Sequence, residues 1–545
     1  MDKRTVLALI LMLALFLVFD QFVWKPQREQ KAAETAAQTQ SKEAPASKST
    51  VPAPKDSLAA APMLPDSLSS PDAKEQDIVL SNPRMKVTFS SRGARIKQIN
   101  LPDFKMAGDK DVALINANST IAGSSVILEN GTRNLDNLIF NVRSNPDSAY
   151  VVFYLGEAAK PMVEKTFKLD QQYGIAHEIK IRNMGAVKGL ELDFSSGIAD
   201  TEKNLKSKKQ DYSFLLYGDA KLQKLSMSAV KKGPQAAIGS YSWAAIRSKY
   251  FAIAIQENEP QLTKHFSASL SEANESPSFK LSSAQSQLKD SWQQSFLFYT
   301  GPTDYKVLAG YGKSLQRVSD RGANWLRWLS NIFAWFLNLL QGLLRNYGVT
   351  IIIFSIVIKV LLHPFTHKQM DASLKMQRIQ PQVSAIQTQY KNDPKLMQSE
   401  LSKLYKENGA SPFSGCLPLL IQMPIFFSLY NVLRYSMDMR NASFVGWLSD
   451  LSEPDPYMIL PILMAVFMVI QSMMMRPPKQ DPAQMDEKQK AALQSQKMMT
   501  YMMPVMMFFI FRGMPSGLVL YWTVFNILSV IQQYYLQKHF KQKES

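Results

Sequence analysis

Val349-Thr350-Ile351-Ile352-Ile353-Phe354-Ser355-Ile356-Val357-Ile358-Lys359-Val360-Leu361-Leu362 is an apolar run with one charge inside it. Read from about 347 to 365, it is long enough to cross a bilayer core of roughly 30 Å. An ammonium at such a depth costs at least ~2.5 kcal/mol unless water, a partner or a nearby interface relieves it. Counting about 13 residues from Asn346 at roughly 1.5 Å each places Lys359 ~20 Å from the outer boundary, in the inner half. Two kinds of relief stay open. His363 and Pro364 follow about one turn later, so the side chain can snorkel to headgroups. Ser355, one turn above, instead fits a water-containing recess among several spans.

Four further apolar segments follow, at approximately 416 to 435, 457 to 475, 497 to 512 and 515 to 536. Another opens the chain: Asp2, Lys3 and Arg4 precede an apolar run from Val6 to Phe19. No small-x-small cleavage pattern follows it, so residues 1–24 read as an uncleaved anchor. Six spans leave both ends on one side, and charge says which. The loop between Phe365 and Cys416 carries Lys368, Lys375, Arg378, Lys391, Lys395, Lys403 and Lys406. The loop after the fourth span carries Arg476, Lys479, Lys488, Lys490 and Lys497. Both belong on the cytoplasmic face under the positive-inside rule. Much of the +17 net charge is thereby explained by topology before nucleic acid is invoked.

Within residues 318–346, the stretch 325–344 resembles a further span, but Arg327, Asn331, Asn338, Gln341 and Arg345 draw one hydrophilic stripe along a helix. That pattern predicts a helix lying in the interface. Residues 25–76, rich in Ala, Gln, Ser, Lys and Pro, read as a disordered tether. Residues 77–317 switch to a period of two, as in Met85–Phe89, Ala149–Tyr154, Glu178–Ile181 and Ser295–Tyr299, which predicts a β-sandwich on the outer face. His177 and Glu178, adjacent on a strand, face opposite sides and read as ordinary strand positions. Residues 366–410 predict a helical hairpin on the inner face, with Asp393 as N-cap, Pro394 at the first helical position and Asn408-Gly409 as the stop. Residues 537–545 form a short basic tail.

Several chemistries are disfavoured. One cysteine, Cys416, rules out an intrachain disulfide framework, and five scattered histidines form no zinc motif. There is no phosphate-binding loop, and no cofactor is expected. Spans two to six contain no Asp or Glu, so Lys359 lacks the carboxylate that a proton relay would want. Gln422, Asn431, Gln471, Thr523, Asn526, Gln532 and Gln533 are polar groups that would preferably face protein or water. Methionines from Met464 to Met507 give the fourth and fifth spans a flexible, polarizable surface suited to varied apolar helices. A membrane-embedded Ser355–Lys359 hydrolase and a solute channel remain rival readings, the first because the two residues are four apart on one helix.

Ser411-Pro412-Phe413-Ser414-Gly415-Cys416-Leu417-Pro418-Leu419-Leu420-Ile421-Gln422-Met423-Pro424-Ile425-Phe426 and Pro515-Ser516-Gly517-Leu518-Val519-Leu520-Tyr521-Trp522 resemble signature stretches of the YidC-type membrane protein insertases. The likeness extends over essentially the whole chain, in the Gram-negative arrangement. It implies a periplasmic all-β supersandwich and an α-helical polytopic core, residues 347–536, with five of the six spans. It further implies an insertase and chaperone for newly made inner-membrane proteins, acting alone or beside the Sec translocon. Ribosome contact would fall to the basic cytoplasmic loops. Lys359 takes the place usually held by the family's groove arginine, keeping charge without bidentate recognition. The expected groove comprises Lys359, Ser355, Gln422, Asn431, Gln471, Tyr521, Trp522 and Asn526. The expected hydrophobic slide comprises Met423, Ile425, Phe426, Met502, Met503 and Met506.

Overall fold

The computed structural model describes residues 74–542, except 107–109, 116–118, 120, 145–148, 195–196, 203–210, 258–262, 271–276, 320–321, 323, 391, 411–416 and 475–500. The expected anchor, nearly all of the tether and the cationic loop after the fourth span lie outside the described residues.

Among the described residues, seventeen strands, β1 to β17 in chain order between Asp77 and Pro302, join in one antiparallel network. Alternation drives it. In β8 (Tyr150–Leu155), Val151, Phe153 and Leu155 turn inward while Val152 and Tyr154 are half-buried. The network becomes a sandwich through two long strands, β10 (Gly174–Phe194) and β17 (Pro277–Pro302), which pair along most of their length. The first half of β10 pairs β9 (Val163–Leu169), and its second half pairs β5 (Ile121–Leu128). On β17, residues 296–302 meet β15 (Phe251–Glu257) and residues 277–284 meet β16 (Thr263–Leu270). Each long strand therefore serves both sheets, and on β10 the register shift between Arg182 and Val187 marks the change. A Cβ at Gly189 would lie 2.3 Å from the Ser283 carbonyl oxygen, which excludes a side chain there. Aromatic rings close the space between the sheets: Phe89 of β2 (Lys86–Ser90) lies tilted 4.9 Å from Phe167, and Phe194 meets Phe298 edge-on at 5.8 Å.

Among the described residues, eight longer helices follow. They are α1 (Arg327–Leu344), α2 (Tyr347–Leu361), α3 (His363–Gln389), α4 (Pro394–Glu407), α5 (Leu417–Tyr435), α6 (Ile459–Met474), α7 (Tyr501–Phe511) and α8 (Ser516–Gln542). No single described helix is both long and apolar enough to cross a membrane by itself; α2 and α3 qualify together but are bent by 63°. The expected run to Phe365 stops at Leu361 because Pro364 lacks the N–H that would continue the ladder. The hairpin follows its sequence signals. Asp393 Oδ1 accepts from the amides of Lys395 and Leu396, at 3.1 and 3.0 Å, and Gly409 takes φ +56° after α4.

The sandwich is fastened to the connection between α5 and α6. Arg434 donates a fork of hydrogen bonds to Asp211 at 3.1 and 3.2 Å, with both side chains buried. Arg440 reaches Glu202 at 3.1 Å and the carbonyls of Lys105 and Thr201, while Lys249 donates to the Ser452 carbonyl. The C-terminal end of α5 and the connection after it are thus held by the β domain, and the α3–α4 hairpin follows the C-terminal end of α2.

Candidate functional site

Lys359 sits on the last turn of α2 and is 8% exposed. Its Nζ donates to Ser529 Oγ of α8 at 2.7 Å and lies 4.4 Å from the centre of the Phe525 ring. An ammonium has three donors, so one acceptor and one aromatic face leave hydrogen-bonding capacity. That capacity meets a cavity of about 780 Å³ walled by Lys359, His363, His367, Gln532 and Tyr535 together with apolar side chains. Val360 and Ile531 on the same wall are exposed, which puts the cavity at the outer face of the α2–α8 pair. Gln532 bridges His363 Nδ1 and Thr366 Oγ1, both at 3.1 Å.

Above it, α8 presents a polar face at helical spacing: Trp522, Asn526, Ser529 and Gln533. Trp522 Nε1, Asn526 Nδ2 and Gln533 Oε1 are buried without a protein partner, as is Ser428 Oγ on α5. Each such atom costs about 1–3 kcal/mol in a dry interior. Water relieves that cost where the site is polar and has room for it.

The expected groove residues divide. Lys359 lies on this α2–α8 face and Asn526 on the same stripe of α8 as Ser529, whereas the Trp522 ring meets Phe426 of α5 and Phe511 of α7 at 5.2 and 5.4 Å. Gln422 donates to Tyr521 Oη at 3.3 Å, joining α5 to α8 deeper in the core. Asn431 donates to the Phe427 carbonyl at 2.7 Å and packs on Gly322, where a Cβ would come within 2.5 Å. It therefore stands near the C-terminal end of α5, away from Lys359. Gln471 is half-buried near the C-terminal end of α6. Ser355 is buried and donates to the Ile351 carbonyl at 2.6 Å, so it is not hydrogen-bonded to Lys359 as a hydrolytic pair would be.

The slide residues divide as well. Ile425 and Phe426 are inside the core, with Phe426 edge-on to Trp522 at 5.2 Å, and Met423 is half-buried. Met502 and Met506 are exposed on α7 beside Val505 and Phe509, and Met503 is half-buried. Sequence reasoning missed Ser529 as the partner of Lys359. Its position three residues after Asn526 and three before Gln532, on one helical stripe, was the available signal.

A family model described as the YidC periplasmic domain matches residues 77–336, and one described as the 60Kd inner membrane protein matches 339–544. The membrane protein insertase YidC of Syntrophus aciditrophicus is 30% identical, over 99% of this chain and 100% of that protein. The protein of the same name from Chlorobaculum tepidum is 31% identical, over 98% of this chain and 94% of its own length. A solved structure described as an active YidC insertase with the first transmembrane domain resolved is 20% identical, with 85% of this chain and 93% of that one covered and a TM-score of 0.36.

Proposed function

The chain belongs to the YidC family of membrane protein insertases, inner-membrane proteins with a periplasmic β-sandwich domain, and from that premise we propose how its residues carry out insertion. The core α2–α8 supplies five spans, with the hairpin α3–α4 and both chain ends cytoplasmic and the β domain periplasmic. The α2–α8 face forms a recess that is wet from the cytoplasmic side. Its charge is Lys359, and its walls include Asn526, Ser529, Gln532 and Gln533. A client's hydrophilic, acidic segment enters toward Lys359 while its apolar segment leaves along Met502, Met506 and their neighbours on α7 into lipid. Water in the recess shortens the apolar barrier, and opposite charge favours entry, so no nucleotide is required.

Basic residues on the hairpin, Lys368, Lys395, Lys403 and Lys406 among them, suit contact with an arriving chain or the ribosome. The Sec translocon is the natural partner for clients whose outer segments exceed the recess.

The observation that carries this reading is Lys359 itself, which is held by a hydroxyl and a ring, with no carboxylate partner among the described residues, on the wall of a cavity. The test is reconstitution into liposomes with a single-span client bearing an acidic outer segment, scored by protection from external protease. Lys359→Arg should retain insertion, whereas Lys359→Ala and Lys359→Glu should lower it at least tenfold, a loss of about 1.4 kcal/mol. Equal insertion by all variants would end the proposal. A lysine general base would fail in Lys359→Arg too.

A further inference from the structure

The polar stripe of α1 takes no part in that reading, yet the structure gives it a place. The helix has three sides. Ser330, Phe333 and Leu337 pack inward; Trp328, Ile332, Trp335, Leu339 and Leu343 are exposed; and Asn338, Gln341 and Arg345 line a separate cavity of about 740 Å³. The opposite walls of that cavity come from Asp304 and Lys306 of the β domain and from Asp438 in the connection after α5. Among the described residues, none of Lys306, Arg345, Asp304 and Asp438 has a salt-bridge partner. Asp304 Oδ1 accepts the amides of Lys306 and Val307, and Asp438 is hydrogen-bonded to Tyr347, so two cations and two carboxylates without a cation partner face one space, beside an exposed apolar helix face.

We propose that this cavity seats the headgroup of a zwitterionic phospholipid bearing a primary ammonium, a phosphoethanolamine lipid of the outer leaflet, with its acyl chains along the exposed face of α1. Arg345 and Lys306 complement the phosphate, and Asp438 and Asp304 complement the ammonium. A purely anionic headgroup supplies no cation to either carboxylate. A choline headgroup offers them no N–H donor. The passage between chain and headgroup is at Gly342, which is exposed and lies on the helix between the polar stripe and the apolar face; a Cβ there meets nothing within 4 Å. The bound lipid bridges the β domain, the interfacial helix and the outer loop, three parts that otherwise touch through protein contacts alone.

The test uses the full chain in nanodiscs holding equal parts of ethanolamine, choline and glycerol phospholipids, followed by delipidation and counting of the lipids retained per protein. The ethanolamine lipid should be enriched. Arg345→Gln and Asp438→Asn should each reduce its retention about tenfold, the size expected for one lost charge-assisted hydrogen bond. Gly342→Leu, which leaves every charge in place and has room for its side chain, should do the same by closing the passage. Retention in the bulk ratio overturns the proposal. So does a preference for the glycerol lipid, or full retention in Gly342→Leu. Displacement by an equal amount of soluble glycerophosphoethanolamine also overturns it, because the apolar face would then contribute nothing.

Discussion

Two of the buried lysines, one in the sandwich and one in the helical core, are held in similar ways. Lys165 in the sandwich is fully buried, donates to the Gly93 carbonyl at 2.6 Å, and lies 5.3 Å from the Phe140 ring. Lys359 in the helical core donates to a hydroxyl at 2.7 Å and lies 4.4 Å from a ring. What differs is the surroundings. Lys165 is closed in by the aromatic core of the sandwich, whereas Lys359 walls a cavity below a helix face with buried polar atoms that have no protein partner. A sealed ammonium with carbonyl partners fixes structure. One with spare donors on a cavity is available to a visiting charge.

The largest expected effect separates the two roles. Lys165→Glu places a carboxylate against two carbonyl oxygens in a dry core and should destabilise the sandwich by about 3–5 kcal/mol, as broken buried charge contacts do. Lys359→Glu should leave the same sandwich intact while insertion falls. Hydrogen exchange in β9 and β10 of the purified chain measures the first effect, and the liposome assay the second. A folded Lys165→Glu sandwich would erase the distinction.

Acidity sharpens the contrast further. Burial, and after it the Lys165 ammonium, pushes the His177 imidazole down to about 3. The unfolded chain therefore takes up a proton near the usual histidine value of about 6.5 that the folded one refuses. Sandwich stability should fall as pH drops from about 6.5 toward 3, by at most about 1.4 kcal/mol per unit, and His177→Phe should flatten the profile. Burial likewise pushes Lys165 down to about 8. Stability should therefore rise from pH ~8 to the ordinary lysine value of about 10.5, as the unfolded chain keeps a proton the folded one has shed. Exchange rates against pH in the wild-type and Lys165→Met chains test that window.

The smallest effect concerns the slide. Met502→Ser with Met506→Ser removes exposed apolar surface from α7 and should slow insertion roughly two- to fivefold, at an apolar transfer of about 1 kcal/mol. Phe426→Ala should instead act on stability, since that ring belongs to the core.

That last pair shows what the sequence could and could not convey. Alternation in Tyr150–Leu155, the cap at Asp393 and the charge at Lys359 are local signals, and local signals survive in a string of residues. Ile425 and Phe426 were expected on the slide because they are apolar, but in a membrane segment apolarity does not distinguish lipid from core. The fork between Arg434 and Asp211 joins residues 223 apart, and the switch of β10 between sheets depends on the distant partner β17. Neither leaves a periodic trace. The stripe on α1 was legible as polar, but not as the wall of a cavity, because its opposite walls come from two other parts of the chain.

The central claim is that Lys359 is wet from the cytoplasmic side. It is tested most directly by Lys359→Cys in a chain whose single cysteine is replaced, Cys416→Ser, embedded in vesicles of known orientation and exposed to a charged, membrane-impermeant thiol reagent. The account predicts modification from the cytoplasmic face and protection from the periplasmic face. A thiol unreactive from both faces, or reactive only from the periplasm, would contradict it.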